Sequence, residues 1–138
     1  MRLSRIHHVA VICSDYTRSK QFYTKILGLS VISETYREAR HSYKLDLALP
    51  DGGQIELFSF QDSPKRLSYP EARGLRHLAF EVSDLDECIA NLKKNGIEVE
   101  PIRLDELTNR RFTFFADPDE LPIELYEAAE GKSASSSS

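Results

Sequence analysis

The strongest constraint on the fold of this chain is an internal repeat. Two short apolar segments, IHHVAVI near the start and LRHLAF halfway along, place His8 and His77 in the same slot, 69 positions apart. A second pair of segments, PDGGQIEL and PDELPIEL, repeats at a spacing of 68 positions and carries Glu56 and Glu124. Such a chain contains one module twice, and we expect it to fold as two similar units.

Length and composition allow one domain built from the two repeats. A chain of 138 residues with 41% hydrophobic content is large enough to bury one core. We predict a single domain over residues 1–130, with repeats at about 5–60 and 75–127 and a linker at 61–74. Residues 131–138 are small and polar, and they predict a disordered tail or a cloning remnant.

Each repeat reads as a strand, a helix and three further strands. Asp15 and Asp84 are predicted helix N-caps, and Gly28 and Gly96 are predicted to end the two helices in the left-handed conformation. The predicted strands are residues 5–13, 31–37, 43–49 and 54–60 in the first repeat and 75–82, 97–103, 111–116 and 121–126 in the second. The predicted fold class is therefore α+β, with two tandem βαβββ modules.

Strand alternation puts four polar side chains on the face that points away from the helices. They are His8 and Glu56 in the first repeat and His77 and Glu124 in the second. Two carboxylates in one partly enclosed place are unfavourable unless a cation compensates them. Two imidazoles and two carboxylates suit one divalent ion such as Zn, Ni, Co, Fe or Mn. A lone histidine or glutamate on a strand is more often structural, but four at repeated spacings favour a metal site.

The combined motif resembles the vicinal oxygen chelate superfamily, and in particular its glyoxalase I, or lactoylglutathione lyase, members. The resemblance rests on the two His-x6-Asp segments, the two Ile-Glu-Leu segments and the Asp-Pro-Asp turn at 117–119, and it covers residues 5 to about 127. It implies that the paired modules form a cupped, barrel-like mixed sheet around a metal, with the helices outside. The family's ligand positions fall on His8, Glu56, His77 and Glu124.

The resemblance implies a metal-dependent lyase or isomerase that transfers a proton next to a metal-bound carbonyl of a small, oxygen-rich substrate. Glu124 is the candidate base and Glu56 its partner acid or base, and the sequence does not separate these roles. Another enzyme of the superfamily, such as an epimerase, dioxygenase or transferase, stays open, as does a non-catalytic metal-binding or small-molecule-binding protein. No glutathione signature is present, so the substrate and the use of glutathione are open as well.

Arginines near predicted strand ends are candidates for binding an anionic substrate, because the guanidinium group suits carboxylate and phosphate. Arg111 is the favoured residue and Arg37 the second, and the alternative is an exposed surface with local salt bridges. His7 alternates with His8, so we predict that it faces the helices and has a structural role.

Charge and hydropathy limit the partners. The formal net charge of −4 disfavours nucleic acid and anionic membranes, and no apolar run approaches the roughly 18 residues of a membrane-spanning helix. We therefore predict a cytoplasmic protein that binds a small-molecule substrate. A homodimer is expected by analogy with the family, with the site either inside one chain or formed by modules exchanged between two chains.

Overall fold

The computed structural model describes residues 1–129, and the chain divides into two compact units. The first unit is Met1–Lys65 and the second starts at Arg66, so the boundary falls inside the predicted linker. The predicted tail at 131–138 lies outside the described residues, and the grouping of both units into one domain stays a prediction. Within residues 1–129, no helix is long and apolar enough to cross a membrane.

Both units contain the predicted βαβββ module. The first unit consists of β1 (His8–Cys13), α1 (Tyr16–Gln21) with a π-helical continuation (Phe22–Ile26), β2 (Ser30–Arg37), a 3-10 turn (Glu38–Arg40), β3 (Ser42–Ala48) and β4 (Gln54–Ser59). The second consists of β5 (Leu78–Val82), α2 (Leu85–Lys94), β6 (Arg103–Asp105), β7 (Arg110–Ala116) and β8 (Pro122–Glu127). The α+β class with tandem modules is confirmed.

Each module forms an open, mixed four-stranded sheet, in the orders β1-β4-β3-β2 and β5-β8-β7-β6. The first and last strands of each module pair in parallel, while the other neighbours are antiparallel. A parallel pair cannot be joined by a tight turn, so the helix supplies the first part of the crossover. The two parallel pairs have the same register, because Ala10 lies opposite Glu56 and Ala79 lies opposite Glu124.

The hydrophobic core of each unit lies on one face of its sheet, as the alternation predicts. Ile55 and Leu57 are 1% and 0% exposed, and Ile123 and Leu125 occupy the same positions in the second unit, 0% and 6% exposed. Helix α2 adds Leu85, Ile89 and Leu92 to the core of the second unit. Full burial of such a side chain contributes roughly 1.5–3 kcal/mol. Because successive side chains on a strand point to opposite faces, burial of these four residues turns Glu56 and Glu124 to the other face.

The predicted N-cap and the predicted C-terminal glycine of each helix are confirmed. Asp15 accepts a hydrogen bond from the backbone N–H of Arg18 at 3.2 Å, and Asp84 accepts one from Glu87 at 3.0 Å. Gly28 and Gly96 follow the helices with φ angles of 77° and 76°. Residues other than glycine rarely adopt this left-handed backbone conformation, so glycine is the suitable residue at both positions.

Three strand predictions were wrong in position. The strand expected from residue 5 begins at His8. The strand expected at 97–103 is instead Arg103–Asp105, because Pro101 lacks the N–H group that a continuous ladder needs. The strand expected from Leu75 begins at Leu78, because the carbonyls of Leu75 and Arg76 accept hydrogen bonds from the guanidinium of Arg66 rather than from a neighbouring strand.

Removal of the α2 cap should destabilise the second unit. We expect Asp84→Ala to lower the free energy of unfolding by about 0.5–2 kcal/mol, because the N–H of Glu87 loses its acceptor. Asp84→Asn is the matched control, since asparagine caps nearly as well and should cost much less. Urea unfolding followed by circular dichroism measures both, and equal losses in the two variants would contradict the capping role.

Candidate functional site

The first predicted ligand pair forms on the first unit. His8 begins β1 and Glu56 lies in the centre of β4, and His8 Nδ1 is 3.6 Å from Glu56 Oε2. The histidine side chain is 41% exposed and the glutamate side chain 15% exposed. The ammonium group of Lys44 on β3 lies 3.9 Å from the other oxygen of Glu56. The pair is therefore accessible from solvent and close to one cation.

The second predicted ligand pair forms on the second unit in the corresponding place. His77 directly precedes β5, and its Nε2 is 3.1 Å from Oε1 of Glu124 on β8. These side chains are 28% and 13% exposed. The ring of Phe114 meets the imidazole of His77 edge to face, with 5.0 Å between the ring centres. This pair is more enclosed than the first and has an aromatic neighbour.

The donor atoms of each pair fit a divalent metal ion. Histidine nitrogen and carboxylate oxygen bind such ions at about 2.0–2.2 Å, so two neighbouring ligands stand roughly 3 Å apart in octahedral and somewhat farther apart in tetrahedral geometry. The observed nitrogen-to-oxygen distances of 3.6 and 3.1 Å are close to these values. Within residues 1–129, no three or more histidine, cysteine, aspartate or glutamate side chains form a metal-binding group. The structure thus brings the four predicted ligands together as one pair in each unit.

The two pairs differ in what lies on the neighbouring strand. Asp46 on β3 stands opposite Glu56, whereas Phe114 on β7 stands opposite Glu124. Lys44 donates to Asp46 at 2.7 Å, and this hydrogen bond holds the pKa of Asp46 below its usual value, with a smaller contribution from the hydroxyl of Ser33. Sequence reasoning missed these residues, although the 68-residue spacing of the repeat would have aligned Asp46 with Phe114.

The favoured substrate-binding residue, Arg111, is engaged by carboxylates of its own unit. Its guanidinium group contacts Glu127 on β8 at 2.6 Å and Asp86 on α2 at 3.0 Å. Hydrogen bonds from Arg111 lower the pKa of both carboxyl groups, and the same contacts raise the pKa of the guanidinium. Arg111 thus joins the helix to the sheet, and this geometry favours a structural role over the predicted substrate contact.

The second candidate, Arg37, has a different environment. Its guanidinium carbon lies 4.9 Å from the ring centre of Phe58 and 5.8 Å from that of Phe60. Nη2 donates to the hydroxyl of Ser42 at 3.2 Å. Ion-pair partners for Arg37 are absent from the part of the chain that the structure describes. Arg37 is therefore held in place by rings and a hydroxyl without being neutralised.

His7 does not pack on the helix side as its alternation predicted. It is exposed, and its Nδ1 lies 3.0 Å from Nδ1 of His8. Strand β1 begins only at His8, so the two-residue period does not constrain the residue before it. His7 is thus a hydrogen-bonding neighbour of the first ligand pair.

Arg66 fixes the backbone that leads into His77. Its Nη2 donates to the carbonyl oxygens of Leu75 and Arg76 at 2.5 and 2.9 Å, and its Nε donates to the hydroxyl of Ser68 at 2.8 Å. The sequence predicts only a linker for this segment, because it lacks apolar periodicity. A side-chain clamp of this kind leaves no periodic signal in the sequence.

A cleft of about 610 Å³ lies in the second unit beside this clamp. Arg66 and Phe114 both line it, and Phe114 also contacts His77. Its volume falls within the range of small-molecule sites. His77 and Glu124 do not line the cleft, so Phe114 is the residue that the cleft shares with the surroundings of this pair.

Comparison with known proteins identifies the family. The profile of the Glyoxalase/Bleomycin resistance protein/Dioxygenase superfamily matches residues 5–125. The chain belongs to this superfamily. The resemblance to vicinal oxygen chelate proteins is thereby confirmed, and the superfamily contains metal-dependent glyoxalases, epimerases, dioxygenases and fosfomycin-resistance enzymes.

Three relatives show how the chain sits within the superfamily. It is 62% identical to the uncharacterized protein YwkD of Bacillus subtilis strain 168, over 92% of this chain and 99% of that protein. The crystal structure of a glyoxalase family protein from Enterococcus faecalis aligns with 92% of this chain and 100% of that chain. The TM-score is 0.85 and the sequence identity 48%. The human mitochondrial methylmalonyl-CoA epimerase is 30% identical over 99 residues, which cover 69% of this chain and 56% of that protein.

The Arg111 contacts predict a pH-dependent contribution to stability. Because the pKa values of Glu127 and Asp86 are lowered in the folded state, their stabilisation is complete above the unfolded pKa values of about 4 and is lost as pH falls through the lower folded values. Arg111→Met should therefore destabilise the protein at pH 7 and have a smaller effect at about pH 3. Urea unfolding at both pH values measures this. The control is Arg73→Met, which removes an exposed arginine of the same unit that has no ion pair within residues 1–129. An effect of equal size at both pH values would contradict the ion pairs.

The Arg66 clamp predicts a local change rather than a global one. Arg66→Ala should speed cleavage after Glu71 by a glutamate-specific protease, because the carbonyls of Leu75 and Arg76 lose their donor. Lys65→Ala removes the neighbouring basic residue and should leave this cleavage unchanged. Equal cleavage rates in Arg66→Ala and wild type would show that the clamp does not order the segment.

Proposed function

We propose that the protein is a metal-dependent lyase or isomerase of the glyoxalase type, which acts on a small, oxygen-rich substrate by proton transfer at the carbon next to a carbonyl. The observation that carries the proposal is the repeated His–Glu pair. Each glutamate lies on the last strand of its module and faces an alanine two positions after the histidine on the parallel partner strand. A structural accident would not repeat both the residue types and the register.

The residues proposed to hold one divalent ion, Zn, Ni, Co, Fe or Mn, are His8, Glu56, His77 and Glu124. Support comes from their donor atoms and from the separation within each pair. When bound, such an ion polarises a carbonyl oxygen and stabilises the negative charge that develops on proton removal. The side chains themselves orient the substrate and carry the proton.

The two glutamates are proposed to have unequal roles. Lys44 lies 3.9 Å from Glu56, whereas no lysine or arginine of residues 1–129 forms an ion pair with Glu124. Glu124 instead shares its face of the sheet with Phe114, on the strand beside it. This difference favours a carboxylate oxygen of Glu124 as the proton acceptor, with Glu56 as the partner acid or base.

An epimerase is the second candidate, and the likeness to the human methylmalonyl-CoA epimerase favours it. Epimerisation needs the same proton removal next to a carbonyl, followed by return of the proton to the opposite face. A dioxygenase, a transferase or a non-catalytic binding protein would be outcomes of the test below. We also propose a cytoplasmic homodimer, whose oligomeric state light scattering of the purified protein would measure.

Glu124→Gln should leave a folded protein and lower turnover by about 100-fold or more, because the amide cannot accept the proton. The assay uses methylglyoxal with glutathione and, for the second candidate, methylmalonyl-CoA. Elemental analysis should find one divalent ion per chain in the wild type, and His77→Ala should lower that content. Glu106→Gln, at an exposed position of the same unit outside the cleft, is the matched control and should keep wild-type turnover and metal content.

Three outcomes would contradict parts of this proposal. A fully active Glu124→Gln variant would exclude Glu124 as the base. Two ions per chain would show that each His–Glu pair binds its own metal. Metal binding without turnover of either substrate would favour another reaction of the superfamily or a binding protein.

A further inference from the structure

The first unit carries a cluster of cations around two aromatic rings, which we call the basic platform. It consists of Arg37, Arg40, Lys44, Phe58 and Phe60. The two phenylalanine rings are nearly parallel, with 6.2 Å between centres and 8° between planes. Arg40 lies 5.7 Å from the ring centre of Phe60 and Lys44 lies 6.0 Å from that of Phe58. Each cation is therefore placed within cation–π distance of a ring.

The charge on the platform is only partly neutralised. Lys44 is paired with Asp46 at 2.7 Å. Arg37 and Arg40 have no carboxylate within 4.0 Å in the part of the chain that the structure describes. This leaves two adjacent uncompensated cations in a chain whose formal net charge is −4.

Arg37 is also unusually fixed for an unpaired arginine. Its position between Phe58 and Ser42 buries Nε, which has no hydrogen-bond partner within residues 1–129. A surface arginine would normally swing out to hydrate this group, since a buried unpaired donor is unfavourable. The fold thus holds a charged guanidinium group in place without supplying its counter-ion.

The second unit offers an instructive contrast. Arg103 lies 5.2 Å from the ring centres of both Phe112 and Phe114, so its aromatic contacts resemble those of Arg37. Arg103 differs because Glu100 contacts it at 3.2 Å. The missing carboxylate is therefore specific to the first unit and does not follow from cation–π stacking.

We propose that the basic platform binds an anionic group of the substrate, a carboxylate or a phosphate, through Arg37 and Arg40. This inference rests on the proposed function for the identity of the reacting centre. Phe58 follows Glu56 by two residues on the same face of β4, which corresponds to about 7 Å along the strand. The substrate class is a small oxo compound that also carries a carboxylate or phosphate group.

The test titrates the full-length protein, with and without EDTA, with inorganic phosphate or with propionate, and follows backbone and arginine side-chain NMR signals. We expect binding on the order of 1–10 mM, with shifts centred on residues 37–44 and 58–60. Arg37→Gln and Arg40→Gln should each weaken it about tenfold, because each removes a charge-assisted contact. Arg103→Gln is the matched control and should bind like the wild type. The probe that binds more tightly identifies the anionic group.

Three outcomes would overturn the proposal. They are no binding of either probe by the wild type, wild-type affinity in Arg40→Gln, or equal weakening in Arg103→Gln. Arg40 is exposed, so Arg40→Gln keeps the test valid even if Arg37→Gln does not fold. Binding that persists in EDTA separates this result from the metal proposal, because the platform can then bind anions whether or not the protein turns over a substrate.

Discussion

The arrangement of each unit depends on the parallel pairing of its first and last strands. Parallel neighbours cannot follow one another through a tight turn, so the chain must cross over through the helix and two further strands before the last strand takes its place. The helix covers one face of the sheet, and the core residues of β4 and β8 turn towards it. The residues between them are left on the opposite face. The placement of Glu56 and Glu124 is thus a consequence of burying Ile55, Leu57 and their counterparts.

The repeat preserves the strand pairing of each unit but not the residues next to its histidine and glutamate. Both glutamates face an alanine across the parallel pair, yet the antiparallel neighbour is Asp46 in one unit and Phe114 in the other. The first pair has charged surroundings and the second has an aromatic ring against its histidine. When one carboxylate removes a proton and another returns it, different surroundings allow the two groups to differ in proton affinity. A duplicated module with diverged neighbours supplies two similar carboxylates in unlike environments, which two identical modules could not do.

The helix caps and the alternating strands were predictable because each depends on residues close together in the sequence, and the repeat was predictable because its two copies keep the same residue types at a constant spacing. The misplaced β6 shows a local signal that was overlooked, since Pro101 stands inside the predicted strand. The late start of β5 had no local signal, because it depends on Arg66, about ten residues earlier. Arg111 illustrates the same limit. Its partners Asp86 and Glu127 are 25 and 16 residues away, so the sequence showed a free cation where the fold makes an ion pair.

The ammonium group of Lys44 lies beside Glu56, a proposed metal ligand, so its charge bears on metal binding there. Its ammonium group is 2.7 Å from Asp46 and 3.9 Å from Glu56. The interaction energy between two charges falls with their separation, and Lys44 hydrogen-bonds Asp46 directly. Asp46 therefore balances most of the charge of Lys44. The lowered pKa of Asp46 keeps that carboxyl group ionised at neutral pH. Lys44 and Asp46 therefore form the direct pair, and the contact of Lys44 with Glu56 is the weaker of the two. Arg37 and Arg40 have no such partner within residues 1–129, so the unpaired positive charge of the basic platform lies on these two arginines.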